Sequence, residues 1–183
     1  MNQGDNSFRT FSWRVTAAHT VAYFLAGIFA VAAMGYRELF GVGELSFMRS
    51  TDSPWVAAGP GLQMIRGFCL SLILYPFRSV FVDSKYGWGK FWMILFGLSY
   101  LFTFAAATGS FEGFIYTTLS VETHLIGIPE ALLYMSLFTA LLWAWYEKPK
   151  KAYTAISITL VVLIVLMSSL GALAAAGVID RPQ

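Results

Sequence analysis

From Tyr153 to Ile179 the sequence runs without a single Asp, Glu, Lys, Arg or His. A helix needs about 20 mainly apolar residues to cross a hydrocarbon core about 30 Å thick. This stretch, with the run Ile156 to Leu166 at its centre, meets that requirement. Four further stretches come near the same length, so the expected spans are about 15–34, 58–77, 88–108, 127–146 and 153–179. Composition agrees: 57% of the 183 residues are hydrophobic and 12% charged, against roughly a quarter charged in ordinary soluble domains. The mean hydropathy is +0.65. Residues 1–183 are therefore expected to form one integral membrane domain, an all-α polytopic transmembrane helical bundle whose first partner is the lipid bilayer.

Loop charge gives an orientation. Arg9 and Arg14 face Asp5 in the N-terminal tail, and Arg37 and Arg49 are outnumbered by Glu38, Glu44 and Asp52 in the first loop. The second loop has Arg78, Lys85 and Lys90 against Asp83; the third has Glu112 and Glu122 with no Lys or Arg; the fourth has Lys148, Lys150 and Lys151 against Glu147. Basic excess alternates, which predicts a cytoplasmic N-terminus and a C-terminus outside. The six tryptophans follow suit: Trp13, Trp88, Trp92, Trp143 and Trp145 fall near cytoplasmic edges and Trp55 near the outer one. A bacterial cytoplasmic (inner) membrane is the expected setting. One alternative reads Arg9, Arg14, the first apolar run and Ala30-Val31-Ala32 as a cleaved signal peptide, which would leave four helices.

Small residues predict close helix packing. Ala18, Ala22, Ala26 and Ala30 recur every fourth residue, and Gly171 with Ala175 does the same in the last span. Such faces pack within one bundle or form the seam of a homo-oligomer.

Arg66 is the most constrained polar residue. It lies twelve residues before Arg78, which marks the cytoplasmic edge, and so about 18 Å into the membrane. An arginine at that depth costs at least about 2.5–3.5 kcal/mol and should face the bundle and find an anion. Gln63 is one turn away. Glu130 follows Pro129 at a helix start, where the dipole favours an acid, and it lies just below the outer surface. The third loop, Gly109 to Thr118, mixes aromatic with small residues around Glu112 and reads as a re-entrant or interfacial segment. Together Gln63, Arg66, Glu112, Tyr116, Glu122, His124 and Glu130 form a candidate polar pocket opening outward. Each also has an ordinary structural reading, such as Arg66 pinning two helices.

His19 is expected about one turn inside the cytoplasmic edge, hydrogen-bonded to a neighbouring helix, and His124 on the opposite side. Two histidines at such different depths do not make a bis-histidine haem. A zinc site would need His124, Glu112, Glu122 and Glu130 to meet. No metal and no cofactor are expected. Cys69 is the only cysteine, and the net charge of +2 forms no basic stripe for nucleic acid. No nucleophile elbow, phosphate loop or metalloprotease helix appears. The functional expectation is a membrane subunit or ligand-binding protein with a pocket facing outward. The alternative is a small membrane-embedded enzyme acting on a lipophilic substrate by acid/base chemistry, with catalytic residues unassigned.

Overall fold

The computed structural model describes residues 7–179; Asp5 of the N-terminal tail lies outside them. Among the described residues every regular element is helical. Helix α1 spans Phe8–Ala33, and its N-cap Ser7 accepts from the Thr10 amide at 3.3 Å. The helix thus begins well before the expected edge at residue 15. Arg9 is exposed, but Ser12 and Arg14, which suggest an aqueous tail, are buried in the bundle instead. Ser12 Oγ meets Ser71 Oγ at 2.8 Å, and the Arg14 guanidinium lies 4.5 Å from the centroid of the Tyr146 ring. His19 is consequently about 16 Å from the start of α1 rather than one turn inside it.

After the short helix α2 (Tyr36–Leu39) and a 3₁₀ turn at Gly43–Leu45, α3 runs over Pro54–Leu74. Its Pro54 occupies the first helical position, where a missing N–H costs nothing. A 3₁₀ turn at Tyr75–Phe77 leads into α4 (Arg78–Val82). Then come α5 (Gly87–Phe96), α6 (Phe111–Tyr116), α7 (Val121–Ile126), α8 (Ile128–Glu147) and α9 (Lys151–Ala175).

Four of these segments are long and apolar enough to cross a membrane: Phe8–Ala33, Pro54–Val82, Val121–Glu147 and Lys151–Ala175. The third expected span, 88–108, is shorter. Helix α5 continues as a π-helical segment, Gly97–Leu101, which closes with the Phe102 amide on the Gly97 carbonyl at 2.7 Å. Residues 102–110 then leave the helix, and Gly109 takes φ +83° to turn the chain toward α6. Together α5 and its π extension rise roughly 22 Å.

Ring contacts mark one end of the bundle, where Phe8 meets Tyr75 at 5.1 Å and Trp88 meets Tyr146 at 5.8 Å. Hydrogen bonds from Tyr36 to Glu130, and from Ser120 and Thr123 to Glu44, mark the other. Helix α5 and its π segment run from the first end to the second, making the short fifth pass of an all-helical bundle of about five spans.

Helix α1 is the hub and packs on α3, α8 and α9. Its Ala18, Ala22, Ala26 and Ala30 are at most 2% exposed, so this small-residue face is filled by the chain's own helices. A cleaved leader would remove the centre of this bundle. At the α1–α3 crossing Gly67 lets the backbones touch, since a Cβ there would stand 2.9 Å from Thr16 Cα. Gly171 of α9 lies beside Ala57 of α3 with room to spare, since a Cβ there would stand 3.6 Å from the alanine methyl.

Candidate binding cavity

Helices α1, α3 and α8 and the π segment diverge around a cavity of about 300 Å³ toward the end that carries α2 and α7. Its charged lining residues are Arg66 and Glu130, and its walls carry Tyr23, Tyr36, Tyr100 and Tyr134. Arg66 projects from near the middle of the Pro54–Val82 span. In hydrocarbon a guanidinium is tolerated where it faces a polar cavity. Glu130 sits in the first turn of α8, where the helix N-terminus favours a carboxylate.

Arg66 and Glu130 share this cavity but form no ion pair; among the described residues Arg66 has no hydrogen-bonded partner. Glu130 is held elsewhere. Its Oε2 accepts from the Tyr36 hydroxyl at 2.6 Å. Tyr36 stands at the start of α2, placed by Gly35 in the left-handed region at φ +67°. Burial, and then the hydrogen bond to Glu130, push the Tyr36 phenol far above its ordinary pKa, so it remains a donor.

Beneath the cavity lies a polar relay through the bundle core. His19, fully buried, accepts from the Tyr134 hydroxyl on Nδ1 at 2.6 Å, and its Nε2 meets Gln63 Oε1 at 3.0 Å. The Gln63 amide donates to the Gly59 carbonyl at 3.3 Å, which leaves Gln63 Oε1 to accept. The imidazole then carries its proton on Nε2. Helices α1, α3 and α8 are tied through this one ring, a helix-to-helix bond of the kind expected for His19.

The remaining candidates lie in the segment between the π-helical turn and α8. His124, 1% exposed, accepts from the Gly109 amide on Nδ1 at 3.0 Å and meets Thr117 Oγ1 at 3.1 Å through Nε2. Thr117 donates onward to the Gly113 carbonyl at 2.8 Å, and Phe114 stacks on the imidazole at 4.2 Å. This histidine fastens α6 to α7. Glu112 lies half-buried on α6, while Tyr116 and Glu122 are exposed. None of these four lines the cavity. The structure therefore brings Arg66 and Glu130 together, adds Gln63 through His19 and Tyr134, and leaves Glu112, Tyr116, Glu122 and His124 apart. Among the described residues no three His, Cys, Asp or Glu side chains converge as metal ligands would.

Five residues were not singled out from the sequence. Tyr134 follows Glu130 by four positions and Tyr23 follows His19 by four, a same-face signal that was there to be read. Tyr36, Tyr100 and Glu44 carried none. The Tyr100 hydroxyl is buried between Gly109 and Gly127 with no hydrogen-bond partner among the described residues. Glu44 Oε2 accepts from the Ser120 amide at 3.0 Å, Ser120 Oγ at 2.9 Å and Thr123 Oγ1 at 2.6 Å, which latches the first loop to the third. Those donors, Thr123 foremost, hold its carboxyl below the usual range. No protein-family model, curated protein or solved structure matches the chain, and its chemistry is read from these side chains.

Proposed function

We propose that this membrane protein is a ligand-binding protein or subunit whose polar cavity opens to the extracytoplasmic side of a bacterial inner membrane. One observation carries the reading. Arg66, deep in a membrane span, is exposed and borders a tyrosine-lined cavity with no hydrogen-bonded partner among the described residues, although Glu130 lines the same space. A purely structural arginine would be closed against that acid, because an unpaired charge at this depth is costly. A site that keeps a cation open sacrifices stability for binding. The alternating loop charges support the outward direction.

The test combines stability with access. Arg66→Ala is expected to leave detergent-solubilised protein within about 0.5 kcal/mol of the parent, as at a site with no broken partnership. A loss of about 3 kcal/mol or more would mark a structural charge instead. Ser99 lines the cavity from the π segment. In a Cys69→Ser background, Ser99→Cys should react with a membrane-impermeant maleimide added outside intact cells. Reaction only after the cytoplasmic face is opened would overturn the outward reading.

A further inference from the structure

A second chamber of about 530 Å³ shares a wall with the polar cavity: Tyr23, Tyr36, Phe40, Met48 and Glu130 line both. Its other surfaces are almost wholly apolar. They include Phe24, Ile28 and Val31 from α1 and Val56 and Pro60 from the first turns of α3. Across this shared wall a guanidinium and phenols lie on one side and a half-open, mainly apolar surface on the other. Each lies in the range of about 300–1,000 Å³ typical of small-molecule sites.

We infer that the paired chambers hold one amphiphile, with an anionic oxyacid head, carboxylate or phosphate, on Arg66 and an acyl chain in the α1–α3 chamber. The inference rests on the binding role proposed above and specifies its ligand. The head chemistry follows from the available groups. Arg66 offers a forked set of donors suited to an oxyanion, and the Tyr23 hydroxyl on the shared wall has no hydrogen bond among the described residues. The cavity's own carboxylate does not compete, because Tyr36 and the start of α8 already hold it. The tail chemistry follows from the unshared walls of the second chamber, which are apolar apart from Thr51. Loop 1 covers this space through Phe40, Met48 and Thr51, so the ligand lies beneath it at the outer end of the bundle.

Gly27 supplies a clean obstruction. It lines the second chamber, and a Cβ built on it meets nothing within 4 Å. Gly27→Leu therefore fills the tail space while leaving Arg66 untouched. The experiment measures binding to the full chain in a neutral maltoside detergent for four probes: palmitate, palmitoyl lysophosphatidate, monopalmitoyl glycerol and inorganic phosphate. Palmitate or lysophosphatidate should bind, and the preferred one identifies the head as carboxylate or phosphate. Arg66→Gln should weaken that binding about tenfold or more, the scale of one charge-assisted contact. Gly27→Leu should weaken it similarly, and Tyr23→Phe by a smaller factor.

Equal affinity for monopalmitoyl glycerol, indifferent to Arg66→Gln, would overturn the anionic head and leave the outward cavity standing. Phosphate binding that Gly27→Leu does not change would overturn the tail. Failure of all four probes would overturn the inference even with Ser99→Cys labelled from outside. If that label also failed, the binding reading would fall with it. Thermal unfolding of each variant in the same detergent verifies that lost binding is not lost fold.

Discussion

Gly67 shows how little room the α1–α3 crossing leaves. Its hydrogen faces Thr16 Cα and the His19 ring, and a methyl group there would press on backbone that cannot rotate away. Gly67→Ala should destabilise the bundle by about 1–3 kcal/mol, the usual cost of overpacking, despite alanine's better helix propensity. Reversible unfolding in mixed micelles would measure it; an unchanged or raised midpoint would show that the crossing is looser than drawn. His19 depends on the same contact, because its bonds to Gln63 and Tyr134 hold only if α3 and α8 stay close to α1. At this scale the sequence was uneven. Arg66 and Glu130 stood out because a charge in an apolar stretch is conspicuous. Tyr23 and Tyr100 did not, because a tyrosine in a membrane segment is equally at home in a core, an interface or a site.

Among the elements, the spans near 127–146 and 153–179 were legible because apolar length fixes them, and α8 and α9 fall close to those limits. The start of α1 was not. A run such as Ser12, Arg14 and Thr16 looks aqueous until the partners that bury it are known. The third span was overextended for the converse reason: Ala105, Ala106 and Ala107 count as apolar but lie outside any helix. The short helices α6 and α7 depend on contacts that no local pattern reveals. Ser110 and Ser120 cap them, and Glu44, distant in sequence, closes the latch. The carboxyl of Glu44 is lowered in the folded state, so its contribution is present above the ordinary glutamate pKa and fades as pH falls through its lower folded value. The Ser120 amide resonance should therefore titrate with a midpoint below about 4.3, and Glu44→Gln should abolish the transition. A midpoint at the ordinary value would mean that the latch does not form in solution.

For the whole molecule, the alternating charges and the two ends of the bundle make one joint prediction. Lys85 lies between α4 and α5, and Thr118 between α6 and α7. In the Cys69→Ser background, Lys85→Cys should be reached by an impermeant thiol reagent only from the cytoplasm and Thr118→Cys only from outside. Labelling of both from one side would remove the fifth pass made by α5 and its π extension.

The central place of α1 also bears on how the molecule is made. The chain emerges N-terminus first, so α1 enters the bilayer before any of the helices that cover it. Its Ser12, Thr16, His19 and Thr20, all buried in the finished bundle, then stand against lipid or an insertion chaperone until α3 and α8 arrive. Tyr134 reaches His19 only after a further 115 residues have been synthesised. Biogenesis of this bundle is therefore a wait: α1 is polar enough to need company, and its principal companion on that ring comes late.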